Sequence, residues 1–482
     1  MNFQNLRKLA WLFAALGALS LVACGSSGTD MGPDDDDMGG ETGEDMGPQP
    51  DQGMVDMGDE GCPPIEDRTV VDVDAGSEID SPTTWTCDNL YVLRNGVVYV
   101  TDVLTIEAGT RVHGQVGEQT ALIATVDGRI DANGTAELPI VFTSSNSITE
   151  GSNSGDWGGV ALLGLASLNT VGGTSNLEGL PAGETRGTFG GGESPDDSYN
   201  CGTMRYVRIE YAGAVFAMDE ELNSLTLGGC GSDTTLEFVQ TTAGLDDGVE
   251  FFGGTASIKW GVVFNTGDDS LDWQLGWRGN AQFYIAQQNN IAGEDRCIEA
   301  DNLGSNFDAM PESNPNVYNL TCVSAGAGGS NEQDGFFLRR GTPGTVENNI
   351  VVNATDQGIA IDADRTMERL TGAATPPLTV ENNIVFNNNN QFVGISDTGN
   401  TTLENDTVTQ LTADNREVDP ELPTFDEASP DFAPPAGGEA SMGAAATPGD
   451  AFFTDADYVG AIEPGTAVAD QWWFGWTDFQ PN

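Results

Sequence analysis

The feature that most constrains the fold of this 482-residue chain is a pair of internal repeats with different sequences and similar periods. Val-Glu-Asn-Asn-Ile-Val at residues 346–351 returns at residues 380–385, and Asn-Leu at residues 319–320 is a weaker copy of its centre. A second repeat, which is rich in aspartate and is called here the aspartate-rich register, occurs at residues 246–250, 268–272, 294–297, 333–336 and 356–359. Two registers that each return after roughly 22 to 39 residues predict a solenoid of stacked coils, a parallel β-helix.

The apolar segments between turns agree with this prediction, because they are short and frequent. They lie at residues 96–100, 104–106, 121–124, 139–142, 206–209, 236–239, 258–263 and 282–285. Strands of this length are typical of sandwiches, barrels and solenoids, and the repeats select the solenoid. Asparagines that return at one turn of each coil are then expected to stack as an Asn ladder.

Six of the seven cysteines form three pairs with similar spacing. Taken in sequence order, the pairs are Cys62–Cys87, Cys201–Cys230 and Cys297–Cys322. Residues one coil apart stack at roughly 4.8 Å, and a disulfide needs Cα atoms about 4.4–6.8 Å apart. We therefore predict three disulfides between neighbouring coils, formed in an oxidising compartment. Free or differently paired cysteines are the alternative.

The first 23 residues have the layout of a bacterial secretory signal. A short basic region precedes an apolar run at residues 9–22, which is too short to span a bilayer comfortably. Leu-Val-Ala at residues 21–23 and then Cys24 match a lipobox, which predicts cleavage before Cys24 and lipidation of its sulfur. An ordinary signal peptide cut at Ala23 is the alternative. The lipid is the only membrane contact that we predict, and Gly25, where many inner-membrane lipoproteins carry aspartate, favours the outer membrane.

An acidic segment follows the signal. Between residues 25 and 61 it has twelve acidic side chains and no basic one. Such a segment repels itself and cannot bury a core, so we expect a disordered tether with a reach on the order of 35 Å or more. The expected organisation is a signal peptide at 1–23, the tether at 24–61, a β-helix at 62–416 and a C-terminal closing segment at 417–482.

The charge balance excludes several kinds of partner and site. The chain has 75 acidic residues against 17 Lys and Arg, a formal net charge of −58. Nucleic-acid binding needs basic side chains against the phosphates, so this balance argues against a nucleic-acid partner and favours cations. No C-x-x-C pair is present and His113 is the single histidine, which argues against zinc, thiol-redox and histidine-dependent catalytic sites.

Several sequence segments resemble those of a known group of proteins. They lie at residues 104–110, 134–143, 155–160 and 206–213, with a looser match to a C-terminal closing motif at 458–461 and 475–477. They are similar to the secreted or lipid-anchored right-handed parallel β-helix proteins of Gram-negative bacteria, in the pectate-lyase-like superfamily. The resemblance covers most of residues 85–482 and implies an all-β, right-handed, single-stranded parallel β-helix. Its motifs are structural, so it implies the fold and hardly the activity.

The aspartate-rich register contains the sharpest candidate site. If Val249 and Leu271 fill the core, Glu250 and Asp272 point outward and stack one coil apart. The adjoining turns add four carboxylates, those of Asp246, Asp247, Asp268 and Asp269. Like charges this close raise each other's pKa or require a cation, and ligands that are all oxygen suit Ca²⁺. These six residues therefore predict a calcium site, with solvated turn aspartates that bind nothing as the alternative.

A sugar-binding surface is the second candidate, at Trp273, Trp277 and Arg278. An outward indole would stack on a pyranose while the arginine and nearby carboxylates fix its hydroxyls. Strict alternation from Leu271 turns Trp273 inward, so core packing is the alternative and the one that the strand pattern favours. Three further tryptophans are expected to cap the last coil: Trp472, Trp473 and Trp476.

The prediction of an enzymatic activity depends on this resemblance. Lyases of the superfamily use Ca²⁺ to acidify a proton beside a uronate carboxylate, with Arg or Lys as base, and Arg278 and Arg296 are the nearest candidates. Inverting glycosidases of this fold use paired carboxylates, which the aspartates at 246–247 and 268–269 would supply. No motif fixes a catalytic residue. We expect an envelope lipoprotein that binds an extracellular polysaccharide or a cation without cleavage; the alternatives are a calcium-dependent polysaccharide lyase or glycoside hydrolase, and a structural or adhesive envelope protein.

Overall fold

A computed structural model describes residues 61–148, 151–180, 183–217, 220–288, 296–326 and 333–480. Within these residues most strands pair in parallel with strands one coil away, so the chain winds as a β-helix and the predicted fold class is confirmed. The signal peptide, Cys24 and nearly all of the acidic segment lie outside the described residues. None of the helices described is both long enough and apolar enough to cross a membrane.

Ten strands form the first face of the solenoid, called here the front sheet. They are Val97–Val100, Ala121–Ala124, Val160–Leu163, Leu225–Gly228, Val249–Phe252, Leu271–Gln274, Arg296–Ala300, Asp334–Leu338, Gln357–Asp362 and Asn390–Ile395. Side chains alternate between the interior and the outer surface of this sheet, so one coil places one short row of residues on each side.

A second, sixteen-stranded sheet bends into the other two faces. The side face holds Thr83–Trp85, Val103–Glu107, Arg129–Asn133, Gly344–Glu347 and Leu378–Glu381, and the rear face holds Thr69–Asp74, Asn89–Arg94, Arg111–Gly114, Ile140–Ser144, Ile350–Val352 and Ile384–Phe386. Five long strands cross from the side face to the rear face: Gly202–Glu210, Thr235–Thr242, Ser257–Phe264, Asn280–Gln287 and Asn316–Val323.

The long strands change face at residues with positive φ, a conformation that L-residues adopt rarely. In four of them that residue is aromatic: Tyr206 (49°), Phe238 (55°), Trp260 (59°) and Phe283 (56°). Their rings stack from coil to coil, with centroids 4.3, 4.4 and 6.4 Å apart. The bend is therefore repeated in register, and it carries an aromatic column along its outside.

An asparagine ladder lies beside the same bend in the last coils, as the repeats predict. The Asn349 side-chain amide donates to Asn383 Oδ1 at 2.9 Å, and the Asn383 amide donates to Asn415 Oδ1 at 2.8 Å. Asn349 and Asn383 are fully buried. The ladder therefore satisfies polar groups inside the bend, where water has no access.

The three predicted disulfides are present. Cys62–Cys87, Cys201–Cys230 and Cys297–Cys322 have Cα atoms 5.5, 5.7 and 5.9 Å apart. The interior beside them is one apolar cluster of Leu, Ile, Val, Phe and Trp side chains that extends from Ile79 to Leu411. The stack of coils thus shares a single core.

Smaller elements complete the architecture. There are two-stranded hairpins at Ser175–Asn176 with Thr188–Phe189 and at Val215–Ala217 with Glu220–Glu221, α-helices at Asp364–Leu370 and Thr401–Asp414, and 3-10 helices at Ile65–Asp67, Ser145–Ile148, Glu439–Ser441 and Val468–Asp470. The Thr401–Asp414 helix is capped by the side chain of Asn400 and packs on the last front strand through buried Leu411. It therefore covers the C-terminal end of the stack.

The closing segment, residues 417–480, packs on the rear face of the last coils, where Ala440 and Val459 meet Ile350 and Ile384, and along the bend. Trp476 meets the rings of Tyr206 and Phe238 edge-on, at 5.7 and 6.1 Å, in the middle of the solenoid. Trp473 packs against Phe432 in the same buried cluster, and Trp472 packs against that cluster. The expectation that these tryptophans cap the last coil is wrong, because the cluster is built on Val262, Phe264 and Ile285 of the long strands and the Thr401–Asp414 helix covers the C-terminal end.

Candidate functional site

The described residues of two inserted loops, 164–180 with 183–201 and 211–217 with 220–224, lie over the outer surface of the front sheet and are called here the roof. Outward side chains of the sheet, among them Ile123 and Leu163, form a second apolar cluster with Leu168, Leu177 and Leu222 of these loops. Because the roof excludes water from this surface, polar side chains beside it lie in a buried setting.

Carboxylates form a ladder on the outer surface of the front sheet. Glu250 pairs in register with Asp272, and Asp272 with Glu299, on three consecutive strands. Val249 and Leu271 fill the core, so the predicted orientation is confirmed. Glu250 is nevertheless only 4% exposed and Asp272 only 8% exposed. The solvated alternative therefore does not describe these two residues.

Hydrogen bonds fix the ladder and the turn that precedes it. The side-chain amide of Asn223, from the roof, donates to Glu250 Oε2 at 2.5 Å, and that of Gln274 donates to Oε1 at 2.9 Å. At the turn, Asp247 Oδ1 accepts from the backbone N–H of Asp269 at 2.9 Å. One oxygen of Asp272, Oδ1, is buried and has no hydrogen-bond partner among the described residues.

Three trios of carboxylates lie close enough to share an ion, each with ligand oxygens within 4.8 Å of one another. They are Asp246, Asp247 and Asp268; Asp247, Glu250 and Asp272; and Asp269, Asp272 and Glu299. All six residues of the predicted calcium site are therefore brought together. The second trio is buried throughout.

Burial and neighbouring negative charges together raise the pKa values of these carboxylates. Burial raises the pKa of Asp246 to about 8, and the neighbouring charge of Asp268 adds to the effect. The pKa values of Asp247 and Glu250 are raised well above the ordinary range, mainly by burial and then by the adjacent carboxylates. Burial also raises the pKa of Asp272, against the opposing influence of Arg339. At neutral pH these groups must either retain protons or gain a counter-cation.

Arginines neutralise one end of the ladder. Arg296 Nη1 lies 2.5 Å from Glu299 Oε2, and Arg339 pairs with Glu299 and with Asp301, the latter at 2.7 Å. Arg340 adds a contact of 2.5 Å to Asp301. Within the described residues, no salt bridge reaches the carboxylates at the other end, those of Asp246, Asp247, Glu250 and Asp272. The ladder thus has a compensated end and an uncompensated end.

The comparisons with known proteins bear on the fold. The family model for the pectate-lyase-like β-helix domain matches residues 77–427. The chain belongs to this family. The searches of curated proteins and of solved structures each found no match.

The proposed sugar-stacking surface of this pectate-lyase-like β-helix is not supported at its two tryptophans. Trp273 is 1% exposed and Trp277 is fully buried, and each indole N–H is satisfied, by Thr342 Oγ1 and by the carbonyl of Ala256. Core packing, which the alternation of the strand favours, describes both residues. Arg278 is partly exposed and holds Asp197 Oδ2 at 3.0 Å on the roof.

Several residues of the site were not predicted. Glu299 continues the alternation of the ladder two residues after Cys297, so extending the strand pattern by one coil finds it. Asn223, Arg339 and Asp301 lie in turns and loops without a repeat, and no sequence signal places them beside the ladder. The register at residues 294–295 lies outside the described residues. Of the two candidate bases, Arg296 contacts the ladder, whereas Arg278 contacts the roof.

Proposed function

We propose that the protein is an exported lipoprotein, anchored to the outer membrane through Cys24, whose β-helix holds Ca²⁺ in the buried carboxylate ladder and binds an extracellular polysaccharide elsewhere on its surface without cleaving it. The observation that carries the proposal is the buried Oδ1 of Asp272, which has no hydrogen-bond partner among the described residues and belongs to a carboxylate shared by two of the trios. A buried acceptor without a donor is costly, and a cation removes that cost.

The spacing of the oxygens suits one calcium ion. Ca²⁺ binds oxygen at about 2.3–2.6 Å, so two ligands on opposite sides of the ion are roughly 4.6–5.2 Å apart. The oxygens of Asp247, Glu250 and Asp272 lie within 4.8 Å of one another. Asn223 and Gln274 hold Glu250 by its two oxygens, which limits the freedom that it would lose on binding. The third row of the ladder is neutralised by Arg296 and Arg339, so we place the ion at the uncompensated end.

Binding without cleavage is favoured by the state of the arginines. Arg296 and Arg339 are both engaged with carboxylates, and an arginine is hard to deprotonate in any setting. These two arginines are therefore better suited to holding the ladder than to acting as the base of a lyase.

Thermal unfolding in calcium, magnesium and chelator at matched ionic strength tests the proposal. Calcium at about 100 times its Kd adds about 2.7 kcal/mol to the free energy of unfolding. Magnesium demands a tighter geometry and keeps its water, so it should stabilise less. The double variant Asp247→Asn with Asp272→Asn removes two carboxylates of this trio and should lose the difference between the two metals.

A matched control removes two stacked carboxylates elsewhere. Glu347 and Glu381 pair in register on the side face, so Glu347→Gln with Glu381→Gln changes the net charge equally. This variant should keep the calcium-specific stabilisation. Equal melting of the parent in calcium and magnesium, or an undiminished calcium effect in the aspartate variant, would remove the proposed site.

A further inference from the structure

We propose that a second site, a cleft between the side face and the closing segment, binds a neutral oligosaccharide. The cleft has a volume of about 420 Å³, within the range of roughly 300–1,000 Å³ for small-molecule sites. It is lined by Thr235, Glu237, Ser257, Arg278 and Asn280 of the β-helix and by Asp450 and Phe452 of the closing segment. The inference is independent of the calcium site, which lies on the front sheet.

One wall is a row of hydroxyl and amide groups. Thr235 pairs in register with Ser257 on the next strand, and Ser257 Oγ accepts from the backbone N–H of Asn280 at 2.9 Å. Successive coils repeat at roughly 4.8 Å, so these groups form a regular polar row along the cleft. Such a row matches a ligand with hydroxyls at several successive positions.

The closing segment contributes a partly exposed aromatic residue, Phe452, to the lining of the cleft. Lys259 fixes the backbone there, since its Nζ donates to the carbonyl of Phe452 at 2.6 Å and to Thr454 Oγ1 at 2.7 Å. The same Nζ lies 5.3 Å from the centroid of the Phe452 ring. A sugar combines the same two kinds of group, with hydroxyls at its rim and C–H groups on its faces.

The charges in the cleft select a neutral ligand. Glu237 pairs with Arg205 at 2.5 Å, Arg278 pairs with Asp197 at 3.0 Å, and Asp450 accepts from the backbone N–H of Phe452 at 2.8 Å. The arginine charges are thus matched by carboxylates, and the charge of Asp450 is matched by that of Lys259, whose Nζ lies on the same wall. A uronate therefore gains no net attraction in the cleft and is repelled by the chain's net charge of −58, whereas sugar hydroxyls can donate to these carboxylates and accept from Arg278.

Isothermal titration of the mature lipoprotein tests the inference, in a detergent without a sugar headgroup and with chelator present. The probes are maltotriose, cellotriose and tri-N-acetylchitotriose, with trigalacturonate as the anionic comparison. At least one neutral trisaccharide should bind at least tenfold more tightly than trigalacturonate. Phe452→Ala and Glu237→Gln should each weaken that binding at least tenfold.

Two control variants keep the test specific. Phe474→Ala removes another ring of the closing segment, one that is 49% exposed and does not line the cleft. Thr345→Ala changes a side-face residue two strands beyond Asn280, also outside the cleft. Both should bind within twofold of the parent. Failure of all neutral trisaccharides to bind, tighter binding of trigalacturonate, or equal binding by the Phe452 and Glu237 variants would overturn the proposal. Because calcium is absent, none of these results bears on the front-sheet site.

Discussion

His113 is a buried titratable residue of the rear face, and its charged neighbours are arginines, of its own sign when protonated. It is 2% exposed, and its Nε2 has no hydrogen-bond partner among the described residues. Burial, with repulsion from Arg111 and Arg68, lowers the pKa of His113 to about 4. The neutral imidazole is therefore the form that this part of the protein stabilises.

The substitution His113→Gln should reduce the sensitivity of the protein to acid. The unfolded chain binds this proton with an ordinary pKa of about 6.5, more tightly than the native state does. The contribution of His113 is therefore fully present above pH about 6.5, and up to roughly 3 kcal/mol of it is lost as the pH falls toward 4. Urea titrations at several pH values between 4 and 7 give the free energy of unfolding of the parent and of the variant. The excess of the parent's value over that of the variant should decrease as the pH falls. A difference that is constant across this range contradicts the assignment.

At the scale of elements, a structural feature could be predicted from the sequence when the same residue type recurs at the same position of successive coils. The asparagines at 349 and 383 stand in repeated phrases, and alternation alone orients Glu250, Asp272 and Trp273. The aromatic column was not predicted, because its members are a mixture of Tyr, Phe and Trp outside the repeated segments, and the positive φ that they share leaves no mark in the sequence. The roof was not predicted either, because no local sequence signal shows which face of the solenoid an inserted loop covers. Burial of the ladder was consequently not foreseen.

Asn383→Ala should destabilise the last coils strongly. Its side chain accepts from the backbone and side chain of Asn349 and donates to Asn415 and to the carbonyl of Val346. Removing it leaves several buried groups without partners, at about 1–3 kcal/mol each, so we expect a loss on the order of 3 kcal/mol or more. Urea unfolding measures the loss. Asn405→Ala, at an exposed position of the Thr401–Asp414 helix, should change stability by less than about 0.5 kcal/mol. Similar effects of the two substitutions would show that the ladder contributes little.

At the scale of the whole molecule, each side of the stack is covered by a different part of the chain. The roof covers much of the front sheet, the closing segment covers the bend between the side and rear faces, and the Thr401–Asp414 helix covers the C-terminal end. Attachment of this assembly to a membrane is a prediction from the lipobox at residues 21–24.

Cys24→Ala should release the protein from the membrane. Without its sulfur the chain has no site for the lipid, and the remaining sequence has no long apolar run. Detergent phase partitioning of the parent and the variant from whole cells measures the change: the parent should enter the detergent phase and the variant the aqueous phase. If both enter the detergent phase, the anchor is not at Cys24.

The closing segment also limits how this protein can change in evolution. A solenoid usually gains or loses coils easily, because each coil contacts only its neighbours. Here the closing segment is fastened to Gln240, Gln282 and Asn348 by hydrogen bonds of 2.7–2.9 Å from Asp478, Thr454 and Ala445. A coil duplicated between those points would move them apart by roughly 4.8 Å without lengthening the segment that joins them. We therefore expect the number of coils in this stretch to stay constant in evolution, and insertions and deletions to occur in the loops that connect the strands.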